Sequence, residues 1–280
     1  MSSSRKRHLL SRTIVHMALA VSGLLYMYPF LWMVSGSLKT PQEFLGGGIH
    51  LFPEQAVWQN YVEAWQTARF SIYFRNTVFV TLMTTAIVVA LTSMVGYALA
   101  RSDFPGKKLI VGSILVTMFL PRGYTILPIF ELVRNLRLLN TLWAVILVNA
   151  ATGMVFNTFL FIGHFTTLPK ELEEAATIDG ANFPAIYWRV ALPLAKPMLG
   201  TVALFEFIDN WNSFFVPLVF TLSRPDLRTL AVGMYAFVGQ HSIDWTLMCA
   251  AATMSLLPTV MLFFVLQRLF VEGLTGAIRG

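Results

Sequence analysis

Residues 77–100 read TVFVTLMTTAIVVALTSMVGYALA, an unbroken stretch without one Asp, Glu, Lys or Arg. A run of about 20 mostly apolar residues is what an α-helix needs to cross the hydrocarbon core of a bilayer. In that medium backbone polar groups must bond within the protein, so an uncharged run of this length reads as a spanning helix. Working outward, five more stretches fit the same description: residues 14–35, 109–133, 142–165, 198–222 and 247–270. The stretch at 109–133 is interrupted by Pro121 and Pro128. The sequence therefore predicts an all-α polytopic membrane protein, one transmembrane domain over 1–280 with six helices and both ends on the same side.

Composition agrees. Apolar residues make up 56% of the 280 and charged residues 12%, against roughly 25% charged in soluble domains. The mean hydropathy is +0.66. Disorder needs the opposite balance, low hydrophobicity and high charge. The net charge of +6 forms no dense basic stripe, which argues against nucleic acid as a partner. It fits an excess of Lys and Arg in the cytoplasmic segments. With both termini inside, those segments hold twelve basic residues, including Arg5, Lys6, Arg7 and Arg12 before the first span, and the outer segments hold seven. Arg134 and Arg137 run against the rule. The first apolar run exceeds a signal-peptide core of about 7–15 residues and no clear small-x-small site follows it, so it reads as an uncleaved span.

Residues 36–76 form a long external segment with Pro41, Gly46, Gly47, Gly48 and Pro53, and its aromatics Phe52, Trp58, Tyr61 and Trp65 suit a membrane interface or a partner-facing surface. Cys249 is the single cysteine, which excludes an internal disulfide or a cysteine metal site. His8, His16, His50, His164 and His241 are scattered without ligand spacing. No internal repeat and no low-complexity tract is visible.

The longest internal segment, 166–197, reads TTLPKELEEAATIDGANFPAIYWRVALPLAKP. It is too polar to span and too patterned to be a plain connector. A first short helix begins after Pro169, with Glu171, Glu173 and Glu174 complementing the dipole of its N-terminus. Leu172, Ala175, Ala176 and Ile178 give it a narrow apolar face. Gly180 can adopt positive φ and end it. Asn182 can cap a second helix, with Pro184 tolerated in its first turn. Phe183, Ile186, Tyr187 and Val190 then form an apolar stripe at helical spacing. The apolar faces pack either on the protein's own span ends or in a groove of another protein.

Polar residues inside spans are the other candidates, because burying an ionisable group there is costly. Arg122 and Tyr124 lie in the third span. Glu206 and Asp209 precede Asn210, Trp211 and Asn212 in the fifth, and Asn149 and Asn157 lie in the fourth. One reading is a polar, aromatic pathway in which Asn, Asp and Glu bond the hydroxyls of a polar solute and Trp or Tyr stacks on its ring. The other is interhelical bonding, with Arg122 pairing Glu206 or Asp209 and the asparagines joining helices.

Glu174-Ala175-Ala176, three residues, Gly180, then Leu192-Pro193 resembles the EAA loop of permease subunits of binding-protein-dependent ABC importers. The longer form EAATIDGA…LPL…P is similar to the carbohydrate-uptake branch, in particular its maltose-type subunit. PFLWMVSGSLKTPQEF at 29–44, WNSFFVPLVF at 211–220 and FVEGLTGAIRG at 270–280 resemble other stretches of that family. The resemblance covers nearly the whole chain and implies the type I importer permease fold. It implies that the loop is a coupling helix seated in a cytosolic ATPase dimer, with Glu174, Ala175, Ala176, Asp179, Gly180 and Ala181 at the contact. It also implies that the cytoplasmic tail, 271–280, reaches the ATPase pair near Gly273 to Gly280. The remaining implied partners are a second, related permease in a heterodimer, an extracytoplasmic substrate-binding protein and membrane lipid, in a bacterial or archaeal cell membrane. The chain has no G-x-x-x-x-G-K-[ST] phosphate loop. It is thus expected to be a non-catalytic subunit without cofactor, ATP and Mg being held by the ATPase subunits.

The function expected is import of a sugar or oligosaccharide. Arg122 leaves an anionic polyol, such as a glycerol phosphate, as an alternative. Glu206 and Asp209 leave an ion-coupled secondary transporter as a more distant one, and a non-transporting scaffold is a third. Arg122→Gln separates the first two: an anionic cargo predicts a drop in uptake, and unchanged uptake removes Arg122 from the pathway.

Overall fold

The computed structural model describes residues 2–46, 50–67, 69–120, 122–238 and 243–278, with the side chains of 2–11, 122, 123, 236 and 268–278 left aside. The described residues are helical apart from turns, loops and an isolated bridge between Val238 and Ile243. The chain divides into two compact units, one of residues 1–70 and 234–256, the other of 71–233 and 257–280.

The first unit holds α1 (Ser2–Gly36), α2 (Pro41–Leu45) and α3 (Gln59–Thr67). The stretch Arg12–Gly36 of α1 is long and apolar enough to span, and residues 12–31 of it are exposed. The segment after α1 is firmly organised. Thr40 caps α2 by accepting from the Glu43 backbone at 3.2 Å. Lys39 is buried, its ammonium 4.8 Å above the Trp32 ring and donating to the His50 carbonyl. Asn60 of α3 donates to the carbonyls of Ser37 (2.9 Å) and Lys39 (2.8 Å). Three donor bonds and a cation–π contact thereby satisfy a lysine and a chain reversal that would otherwise be costly to bury. Phe52, Trp58 and Trp65 remain exposed, while Tyr61 turns inward to bond Ser37 at 2.7 Å.

The second unit is built from α4 (Phe70–Arg101), α5 (Lys107–Met118), α6 (Arg122–Asn135) and α7 (Leu142–Thr167), the hairpin described below, α11 (Lys196–Trp211), α12 (Phe215–Phe220) and α13 (Leu230–Gly233). The last helix, α14 (Trp245–Ile278), starts in the first unit and runs on into the second. Gly96 brings α4 against α7: a Cβ there would meet the Phe161 Cβ, and the backbone N of Ile162 at 3.2 Å. Small residues let helix backbones approach in this way inside membranes. A second cluster joins Val80 of α4, Val133 of α6, Val145 and Val148 of α7, and Phe220 of α12.

Among the described residues four helices are long and apolar enough to span: Arg12–Gly36, Phe70–Arg101, Leu142–Thr167 and Trp245–Gln267. The expected third span, 109–133, is not one helix. It divides into α5 and α6 around Pro121, a residue type that cannot donate to the ladder and biases its predecessor away from the helical region. The expected fifth span, 198–222, is also divided. The helix Phe183–Leu194 meets Lys196–Trp211 at a bend of 76°, a pair that counts as a fifth span if taken as one. It ends after Trp211, where Asn212 donates its side chain to the Ile208 carbonyl at 2.8 Å, and α12 follows. The tail expected from 271 continues as helix to Ile278. Its side chains, and residues 279 and 280, lie outside the description.

Gly96→Val should drive a branched side chain into α7. Overpacking of this kind costs about 1–3 kcal/mol, so the variant should melt earlier in detergent than the native chain. An unchanged melting curve would contradict the packing described.

Candidate functional site

The segment after α7 forms a helical hairpin: α8 (Glu171–Ile178), α9 (Phe183–Ile186), a π-helical turn Tyr187–Ala191, and α10 (Leu192–Leu194). Its connection follows from the residues. Gly180 has φ of 84°. Its N–H bonds Thr177 O at 3.0 Å, and Ala181 N–H bonds Ala176 O at 2.9 Å. This pair of bonds is the Schellman closure that a left-handed glycine permits. Asn182 Oδ1 accepts from the Ala185 backbone at 3.0 Å and starts α9, with Pro184 in its first turn. The π turn lets Leu192 N–H reach the Tyr187 carbonyl. That wider ring accommodates Pro193, whose ring would otherwise collide with the carbonyl four residues back.

One side of the hairpin is fixed to the chain's own core. Tyr97 at the end of α4 contacts the rings of Phe165 (5.3 Å), Phe183 (4.9 Å) and Tyr187 (5.3 Å). Tyr187 and Ser93 share a hydroxyl bond of 2.8 Å. Ile186 is buried in this cluster, with Ala176, Ala181 and Val190 packed against it. Arg101 anchors the front of α8: Nε donates to Glu173 Oε1 at 2.8 Å and Nη2 to the Leu168 carbonyl at 2.6 Å. The two side chains are only 5% and 18% exposed. A charge-assisted, partly desolvated contact of this type is stronger than a surface pair.

The other side is uncovered. Ile178 is 86% exposed, Trp188 58% and Leu172 44%. Glu174, Ala175, Asp179 and Gly180 are exposed with them. The expected apolar face of α8 is thus split: Ala176 turns to the core, while Leu172, Ala175 and Ile178 turn outward. The three glutamates divide as well, Glu173 being held by Arg101 and Glu174 free of that contact. Sequence reasoning misses Trp188 and the Arg101 clamp. Trp188 lies off the helical stripe, and Arg101 is far from Glu173 in sequence.

The in-span polar residues separate into two sets. Glu206 is 5% exposed and Asn210 4%. Asn157 Nδ2 of α7 donates to Glu206 Oε1 at 2.6 Å, and Asn210 Nδ2 to Oε2 at 3.0 Å. The first bond joins α7 to α11, and the second lies within α11. Trp211 is buried, stacked on Phe207 at 5.3 Å and edge-on to Phe74 at 5.8 Å. Asp209 and Asn212 are exposed, and Tyr124 is 84% exposed. Asn149 lies 3.4 Å from Ser213 Oγ. The Arg122 side chain, and with it the expected pairing with Glu206 or Asp209, lies outside the described residues. Among the described residues no group of three or more His, Cys, Asp or Glu is arranged to hold a metal.

Known proteins give this arrangement a family. Residues 93–276 match the model of the binding-protein-dependent transport system inner membrane component. The melibiose/raffinose/stachyose import permease protein MelC of Bacillus subtilis is 31% identical over 272 residues, covering 96% of this chain and 98% of its own. The trehalose/maltose transport system permease protein MalG of Thermococcus litoralis is 30% identical over 279 residues, covering 98% and 99%. The fold is that of a crystal structure of a bacterial ABC transporter involved in the import of the acidic polysaccharide alginate: TM-score 0.82, 24% identity, 96% of this chain and 99% of that one. The family works with an ATPase and a binding protein, and its permease component is non-catalytic and carries no cofactor. The chain belongs to the binding-protein-dependent ABC transporter permeases, multi-pass proteins of the inner membrane.

Proposed function

We propose that this permease forms half of the translocation pathway of an ATP-driven importer for a sugar or oligosaccharide, with a second, related permease as the other half. The hairpin of α8 and α9 is its docking element for the ATPase. The observation that carries this reading is the hairpin's two-sidedness. One side is held by Tyr97, Tyr187 and the Arg101–Glu173 pair, and the other presents Ile178, Trp188 and Leu172 to the outside. An apolar helix face beside acidic Glu174 suits a groove on a partner. A fixed underside lets force applied there reach α4 and α7 rather than dissipate in a loose connector.

Both termini lie in the cytoplasm on this reading, because the basic cluster before the first span precedes it. α5 with α6, and the bent pair with α12, would then complete six membrane passages. Asp209, Asn212 and Tyr124, exposed on their helices, are assigned to the substrate path. The carbohydrate assignment is supported by what MelC and MalG are named for. The EAA-type hairpin weighs against an ion-coupled secondary transporter, and so does the burial of Glu206 between two asparagines.

Mild-detergent purification should bring down an ATPase and a second permease with this chain. Ile178→Asp places a charge on the exposed face without touching the anchored side. It should lose the ATPase while still inserting and keeping the second permease. Retention of the ATPase by Ile178→Asp would contradict the docking surface. ATP-dependent uptake by the reconstituted complex should favour neutral oligosaccharides, and transport of anionic polyols alone would select the alternative cargo.

Gly180→Val forces a β-branched residue into positive φ, at a strain of about 1–3 kcal/mol. Uptake should fall while membrane insertion persists, and Gly180→Asn, which tolerates that conformation better, should retain more of it. Normal uptake in Gly180→Val would count against the hairpin's role.

A further inference from the structure

The carboxylate of Glu206 sits at the crossing of α7 and α11, and its surroundings are more constrained than a chance contact. Asn157 uses both hydrogens of its amide, one on Glu206 Oε1 at 2.6 Å and one on the Gly153 carbonyl at 2.9 Å. Asn210 does the same, with bonds to Glu206 Oε2 at 3.0 Å and to the Glu206 carbonyl at 2.7 Å. Each amide is therefore fixed in one orientation, nitrogen toward the carboxylate. Turning either one over would break two bonds. Gly153 completes the arrangement: a Cβ there would lie 2.5 Å from Oε1 and 2.7 Å from Oε2. The position takes glycine because the carboxylate occupies the space of a side chain.

The location gives this node its consequence. α11 is one arm of the bent pair whose other arm, Phe183–Leu194, is part of the hairpin. α7 already touches the hairpin at its C-terminal end through Phe161 and Phe165, in the cluster that also holds Met198 and Val202 of α11. Asn157 lies four residues before Phe161 and Glu206 four after Val202, about 6 Å along each helix at 1.5 Å per residue. α7 and α11 are thus joined by apolar packing beside the hairpin and, one turn farther along, by the carboxylate. The directional hydrogen bonds add to the apolar packing a fixed register, which opposes sliding and rotation of one helix on the other.

We propose that Glu206, with Asn157, Asn210 and Gly153, is a positioning clasp that makes α7 and α11 move as one body, so that displacement of the hairpin reaches the middle of the pathway. The clasp rests on the coupling reading above. It acts through helix geometry and makes no contact with the transported molecule.

The pairing can be inverted chemically. Glu206→Gln replaces one acceptor oxygen by an N–H group and sets donor against donor. Adding Asn157→Asp restores the match at this contact, the introduced amide donating to the new carboxylate while its oxygen accepts from Asn210, but gives up the bond to the Gly153 carbonyl. In the complex reconstituted with its ATPase and binding protein, uptake per ATP hydrolysed should fall ~tenfold in Glu206→Gln. It should recover about threefold of that loss in the double variant, because the coupling belongs to the pair. Gly153→Ala, which displaces the carboxylate without altering charge, should lower the same ratio. A native ratio in Glu206→Gln, or a double variant no better than the single one, would overturn the clasp. A changed KM for substrate at a native ratio would also overturn it, by placing Glu206 on the substrate.

A second readout does not depend on transport. Spin labels at Gly163→Cys on α7 and Phe205→Cys on α11, in a Cys249→Ser background, report the spacing of the two helices. The distance distribution should broaden in Glu206→Gln and narrow again in the double variant. An unchanged distribution would refute the clasp even in a complex that transports nothing. Absence of ATP-driven uptake in the native complex would instead refute the function proposed above.

Discussion

Tyr97 touches Phe165, Phe183 and Tyr187 at once, and the placement of the hairpin depends on that junction. Aromatic pairs of this kind contribute about 0.5–1.5 kcal/mol each beyond the area they bury, and three share a single ring. The ring belongs to α4, one partner to α7 and two to the hairpin. The Arg101–Glu173 pair, one helical turn beyond Tyr97 on α4, fixes the front of α8. Removing the junction would leave α8 and α9 as two short helices. Helices of that length are marginal without tertiary support.

Seating the underside determines what remains outside. Ala176 and Ala181 are small enough to let α8 lie on the cluster, and the same rotation about the helix axis sends Leu172, Ala175 and Ile178 outward. The 76° bend then carries the chain from the hairpin directly into α11. No flexible linker separates the face available to a partner from a helix that bears in-span polar residues. The backbone can turn so sharply because Pro193, Ala195 and Pro197 fall at the end of the π turn, where the regular hydrogen-bond ladder is already interrupted.

Much of this is legible in the sequence where the determinants are local. The positive φ of Gly180, the cap at Asn182 and the tolerated Pro184 need only their neighbours, and all three are found. The apolar runs at 77–100 and 142–165 lie within α4 and α7. What cannot be read depends on contacts distant in sequence. Periodicity places Glu206 and Asp209, three residues apart, on neighbouring positions of one helix side but does not say which of them meets α7. The structure buries Glu206 and exposes Asp209. Likewise Glu171, Glu173 and Glu174 look alike as helix-start acids, and only Arg101 distinguishes Glu173. Hydropathy reads the third span as one helix because it is indifferent to Pro121, whereas the hydrogen-bond ladder is not.

The central claim is that the exposed side of the hairpin meets the ATPase. A photoreactive cross-linker on Ile178→Cys, in a Cys249→Ser background and in native membranes, tests it most directly. The account predicts that the dominant adduct, identified by mass spectrometry, joins this position to the ATP-hydrolysing subunit. Adducts confined to lipid or to this permease itself would contradict it.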